Sequence, residues 1–215
     1  MNYKDITELT VYPSWLMNPY DRANNYAVMA NGYQLAVDRL IDPLLEDNWS
    51  HDADELIYPI LFCCHQCIEL NLKAAIIELH DLSSGNPWTA EVAQIHNLEK
   101  LIHKYNHLNE DDSVVIKKSG RPKALYDFID ICKKFGSDEE GSYCPDFGRF
   151  PESLPDEKKQ KPLHRYSFST GAGGLELSLI DLKKILDEAC SVSSGVFGTH
   201  QEKVEYMRTV DPHEG

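Results

Sequence analysis

The sequence predicts an all-α fold, an antiparallel bundle of about five helices with a long loop or short hairpin excursion before the last one. Three observations carry that prediction. Several separate stretches repeat apolar residues at the i, i+3, i+4, i+7 spacing of a helix with one buried face. Clusters of glycine, proline, asparagine and aspartate punctuate the chain between those stretches. A chain of 215 residues, 42% hydrophobic and 26% charged, holds enough apolar side chains for one ordinary core, so residues 1–215 are read as a single domain.

Residues 1–23 form an irregular lead, with Tyr3, Tyr12, Trp15 and Tyr20 among Pro13 and Pro19. From Asn24 to about Asp47, Tyr33, Val37, Leu40, Ile41 and Leu44 align on one helical face. Gly32 weakens the middle of that helix, and Pro43 is expected to kink or restart its end. Residues 48–54 read as a turn carrying N-cap residues for a second helix over 56–80, which Asp81-Leu-Ser-Ser-Gly-Asn-Pro stops. A third helix spans about 90–107, with Ile95, Leu98, Leu101, Ile102 and Tyr105 inward. Val114 to Lys118 is ambiguous between a strand and a helix start. Arg121 to Phe135 is a fourth helix with Leu125, Phe128, Ile129 and Cys132 in register. Residues 136–173 are rich in glycine and proline and too long for an ordinary bundle connection. The last helix begins near Leu175; Leu175, Leu179, Leu182, Leu186 and Ala189 make a packing seam, Gly195 and Gly198 interrupt it, and 201–215 is a polar tail.

The second helix carries the most informative residues. Ile57, Ile60, Leu61, Cys64, Ile68, Leu72, Ala75, Ile76 and Leu79 trace one broad apolar face. Phe62 and Leu70 fall outside it, which predicts a second surface to cover them. Within the pattern lie His65, Gln66, Glu69 and Lys73, with Glu69 four residues before Lys73, the favourable order for a helical ion pair. The next helix opens His96-Asn-Leu-Glu-Lys-Leu-Ile-His103. A His-Gln-x-Ile-Glu-x-x-Leu-Lys-Ala helix followed by a His-Asn-Leu-x-x-Leu helix resembles the HEPN superfamily (higher eukaryotes and prokaryotes nucleotide-binding). The resemblance covers those two helices. It implies a HEPN-like bundle that homodimerises, and its prokaryotic members cluster in toxin–antitoxin and antiviral defence systems.

HEPN proteins that cut RNA do so without metal, with an arginine, four to six residues, then a histidine. Histidine can move protons at the 2′-hydroxyl and the leaving oxygen, while arginine stabilises charge on the phosphorane. Only Arg208-Thr-Val-Asp-Pro-His213 has that spacing here, with Pro212 inside it and the chain end close by. With so many histidines available, a match of this kind arises by chance roughly 0.75 times. Leu163-His-Arg-Tyr-Ser-Phe168 resembles a Phe-Arg-Tyr-Pro segment of some HEPN-like proteins, with Ser167 in place of the proline. No histidine follows Arg165 at the motif spacing; His164 adjoins it instead. Arg165 is expected to pair with Glu69 and fix the excursion, with phosphate binding as the alternative. His65, Glu69, His96, His164 and Arg165 are thus the candidate binding residues, and Arg208 with His213 the candidate catalytic pair.

Composition narrows the partners. A net charge of −14 disfavours broad, nonspecific nucleic-acid binding but leaves room for a local basic cleft, and it suits a basic protein partner. Cys63, Cys64 and Cys67 share one helix with His80, but no second cysteine pair completes a zinc site. They are read as small core residues, with no metal and no cofactor expected. Reduced cysteines, no basic-then-apolar leader and no uninterrupted apolar run of bilayer length point to a cytoplasmic protein away from membranes. The expected function is a defence or toxin–antitoxin type module: a homodimer that binds RNA, a nucleotide or a protein partner such as an antitoxin. A metal-independent endoribonuclease using Arg208 and His213 is the alternative.

Overall fold

The computed structural model describes residues 17–18, 20–82, 90–109, 115–137, 152–153, 164–165 and 176–210. Among these, five helices build the molecule: α1 (Arg22–Glu46), α2 (Ala53–Leu82), α3 (Leu98–Leu108), α4 (Lys123–Gly136) and α5 (Leu179–Val210). A single helical turn, Ala90–Ala93, precedes α3. Glu152–Ser153 and His164–Arg165 form a two-residue antiparallel pairing, Glu152 opposite Arg165 and Ser153 opposite His164. The fold is all-α in character. Most of the 136–173 excursion, the irregular lead before residue 17 and His213 lie outside the described residues.

α2 is the axis of the bundle, packed against α1, α3 and α5; α5 also meets α1 and α4. Every residue from Cys67 to Glu78 is buried. The single broad face expected for this helix is therefore a correction: its middle is enclosed on all sides because helices distant in sequence surround it. Leu70 is buried within the same chain, and Phe62 stands edge-to-face with Tyr33 at 6.4 Å between ring centres. Leu70 is thus covered from within the chain, while Phe62 stays partly exposed beside Tyr33. Ala53–His80 is long and apolar enough to cross a membrane by length and composition, but it lies mostly inside the bundle and carries Glu69 and Lys73 there.

Local sequence explains most helix ends. Asp21 caps α1, its carboxylate accepting from the Asn24 N–H at 2.9 Å. Pro43 does not restart α1: the helix runs to Glu46, and the Asp47 N–H bonds the Pro43 carbonyl at 3.0 Å. In the following turn the Asn48 side chain accepts from the Ala53 N–H, and His51 takes φ 60°. The expected 90–107 helix is divided. Ile95 bonds back to Val92, the chain extends, and Asn97 caps a fresh helix by accepting from the Lys100 N–H at 3.0 Å. Leu98, Leu101, Ile102 and Tyr105 are buried as expected, and so are Leu125, Phe128, Ile129 and Cys132 of α4.

Two further differences concern the ends of the chain's middle and last segments. The ambiguous stretch after residue 114 is neither strand nor helix at 115–117. Asn106 of α3 acts as its partner, donating to the Ile116 carbonyl at 2.8 Å and accepting from the Ile116 N–H at 2.9 Å. In α5, Leu182, Leu186 and Ala189 are buried as the seam predicted, but Gly195 and Gly198 do not interrupt the helix. A β-carbon at either glycine would meet nothing within 4 Å, so the cost of glycine is its weak helix propensity, and the surrounding turns carry it. The helix therefore continues to Val210, through ten residues expected to belong to a polar tail.

Candidate functional site

The structure brings three of the sequence candidates together. Glu69 projects from the buried middle of α2, its side chain only 3% exposed. Lys73, one turn on and 4% exposed, places its ammonium 2.7 Å from Glu69 Oε1 and also donates to the Ala93 carbonyl at 2.9 Å. His96, in the extended link before the α3 cap, sets Nδ1 3.0 Å from the same Oε1. His65, one turn before Glu69 and fully enclosed, lies 3.7 Å from Oε2 through its own Nδ1. A helical i, i+4 pair explains the Glu69–Lys73 contact; the Ala93 bond and His96 depend on how the chain returns along α2.

This corner is a brace with one open side. The buried ammonium and carboxylate neutralise each other, and the second lysine bond satisfies a carbonyl at the end of the Ala90–Ala93 turn. His96 alone reaches solvent, with its side chain 61% exposed. An ionised carboxylate only accepts, so Nδ1 of His96 carries the proton and Nε2 is left as an acceptor facing outward in the neutral ring. An imidazole oriented by a carboxylate can take up a proton. Transition-state charge stabilisation at a phosphate would require a cation beside it, and the one ammonium here is consumed by Glu69 and Ala93.

The other candidates do not join this corner among the described residues. Glu69 Oε1 takes Lys73 and His96, while Oε2 accepts no hydrogen bond among the described residues, and the expected pairing with Arg165 falls on a side chain outside them. The side chains of Arg165 and His164 lie outside the described residues, although their backbones form one side of the short antiparallel pairing. Arg208 stands on the last turn of α5, its side chain outside the described residues, and His213 lies outside them altogether.

Two further polar clusters join residues far apart in the sequence. Tyr105 of α3 bonds His200 of α5 through its hydroxyl at 2.8 Å, and Asn109 donates to the same hydroxyl. Lys183 of α5 reaches Asp187, Asp38 and Asp42 at 2.6, 2.9 and 3.6 Å. Burial opposes its charge, but Asp187 and Asp38 more than offset this and hold its pKa above the ordinary lysine value. The cysteines form an apolar cluster where α2 meets α5. Cys64 and Cys190 have sulfurs 3.7 Å apart, and the Asn71 amide donates to Cys67 and Ser193. Burial pushes the Cys64 thiol well up, while donation from Cys64 and Cys67 draws Cys190 down. Among the described residues, no group of three or more histidine, cysteine or acidic side chains is arranged to hold a metal ion.

A shallow cleft of about 330 Å³ opens between the 115–122 segment and α5. Aliphatic side chains including Val115, Pro122 and Val196 wall it, and Arg121 spans its rim by donating to Ser191 Oγ at 3.0 Å. No family model matches the chain, and no curated protein or solved structure does.

Proposed function

We propose that this chain is a HEPN-like helical module of a defence or toxin–antitoxin system, one that binds nucleic acid or a nucleotide as a homodimer without cutting it. The observation that supports this reading is the Glu69 corner. The residues that carry the resemblance are separated in sequence, yet Glu69 and Lys73 of the first signature helix meet His96 of the second, and Asn97 beside it caps that helix. A shared corner of this kind is what a common architecture requires. Its one lysine is spent on Glu69 and the Ala93 carbonyl, which suits a framework for binding better than a reaction centre.

The endoribonuclease reading keeps one observation in its favour. Arg208 occupies a helical turn continuous with the packed body of α5, not a loose tail, so an arginine of the Arg-x4-His motif has a helical mount. One experiment separates the two. Labelled RNA, single-stranded DNA and nucleotides are titrated by fluorescence anisotropy in EDTA, and the RNA is then run on a denaturing gel. Binding with intact RNA is expected. RNA cleavage that vanishes in His213→Ala establishes the enzyme instead, and no binding to any of these ligands overturns the module reading in favour of a protein partner such as an antitoxin. Sedimentation of the same sample tests the homodimer, and a monomer at micromolar concentration removes it.

A further inference from the structure

The charge of this protein is unevenly placed. The chain carries −14 overall, yet its described residues between 96 and 137 hold eight lysines or arginines against three carboxylates. Counting Glu110, Asp111 and Asp112 from the sequence as well, the stretch stays net positive. Several of its basic side chains lie on or beside the solvent side of α3. On α3, Lys100, His103, Lys104 and His107 lie opposite the buried Leu98, Leu101, Ile102 and Tyr105. The Asn106 clamp on Ile116 lays the next segment along α3, which brings exposed Lys117 and Lys118 beside that stripe. Lys133 bonds Glu99 at 2.7 Å, tying the end of α4, and with it exposed Lys134, to the start of α3.

Lys123 and Lys133 are ion-paired, with Asp127 and Glu99. Among the described residues, Lys100, Lys104 and Lys117 have no carboxylate within ion-pair reach. Lys118 lies over the Tyr126 ring, 5.3 Å from its centre, and Arg121 gives a hydrogen bond to a neutral hydroxyl. A surface that gathers unpaired cations within an acidic protein stores like-charge repulsion, which an extended polyanion relieves by exchange for its own counterions.

From this segregation we infer that the face made by α3, residues 115–122 and α4 is a docking surface for single-stranded RNA. The inference rests on the nucleic-acid reading above and assigns it a place. Phosphates lie along Lys100, Lys104, Lys117 and Lys118, and Arg121 at the cleft rim ends the track with a planar fork suited to a phosphate. RNA is chosen over DNA because His103 and His107 stand exposed along the same stripe. A neutral imidazole offers one donor and one acceptor, which a ribose 2′-hydroxyl complements and a deoxyribose does not.

The test is fluorescence anisotropy with a fluorescein-labelled single-stranded RNA of mixed sequence, in a salt series, on the full chain. The triple variant Lys100→Glu, Lys104→Glu, Lys117→Glu should bind on the order of tenfold more weakly. The slope of log affinity against log salt should fall by roughly 2, about 0.7 for each phosphate contact removed. Arg39→Glu on α1, an exposed side chain on a helix that packs against α2 and α5, should bind as the wild type does. Thermal melts confirm that each variant is folded. Equal affinity of wild type and triple variant overturns the face while leaving nucleic-acid binding in place. Equal affinity for DNA of the same sequence overturns the choice of RNA. No binding by the wild type overturns the face together with the reading it rests on.

Discussion

Replacing Lys73 by methionine tests whether the Glu69 corner holds the bundle together. The substitution keeps most of the side chain's length and apolar stem but removes the ammonium that sits 2.7 Å from Glu69 and 2.9 Å from the Ala93 carbonyl. The Glu69 carboxylate, 3% exposed, is then left with His96 and His65 as its neighbours. Breaking a buried pair from one side costs about 3–5 kcal/mol, because the remaining charge stays out of water. For a chain of this length each kcal/mol lowers the melting temperature by about 2–4 °C, so a drop of roughly 6–20 °C is expected. The double variant Glu69→Leu, Lys73→Met should recover most of that loss, since a well-packed apolar pair replaces a buried ion pair at little cost. Half-buried Ala93 can turn its carbonyl to water. His96→Ala, on the exposed side, should cost no more than about 1 kcal/mol. Melts followed by far-UV circular dichroism read all three. A Lys73→Met protein that melts with the wild type, or a double variant no more stable than the single, would refute the brace.

Gly32→Ala should stabilise α1 by about 0.5–1 kcal/mol, because a β-carbon there meets nothing within 4 Å and only the helix propensity changes; a lower melting temperature contradicts this. Among the described cysteines, half-buried Cys63 should be the one that reacts with iodoacetamide in the native protein, while Cys64, Cys67 and Cys190, at most 1% exposed, should react only in denaturant; rapid labelling of Cys190, read by mass spectrometry, counts against the packing of α2 on α5. Asn106→Ala should cost about 1–3 kcal/mol and speed hydrogen exchange at the Ile116 amide, which loses its acceptor. Lys183, with its pKa raised in the fold, contributes stability that is complete below the ordinary lysine value of about 10.4 and is lost only as pH climbs above it. The difference in melting temperature between wild type and Lys183→Met should therefore be constant from neutral to mildly alkaline pH, and a difference that shrinks there removes Lys183 as its source.

The amino-acid sequence by itself determined that five helices form and which residues of α4 and α5 point inward. The α4 stripe of Leu125, Phe128, Ile129 and Cys132 and the α5 seam of Leu182, Leu186 and Ala189 are local periodicities, and a local period is a property of neighbouring residues alone. The Glu69–Lys73 pair was legible for the same reason, being a single helical turn. Tertiary structure decided everything that depends on residues far apart. It enclosed α2 from Cys67 to Glu78 on every side, covered Leu70 from within the chain, and ended the third helix's expected start by folding Ile95 back on Val92 so that His96 meets Glu69. It joined Tyr105 to His200 and brought Asp38 and Asp42 of α1 to Lys183, which its own helix already pairs with Asp187. It also carried α5 through two glycines, because packing against α2 and α4 outweighs the propensity of single residues. Net charge reads −14 from composition, but Asn106 and Lys133 link α3 to the 116–118 segment and to the end of α4, and a field depends on where charges lie as much as on their sum.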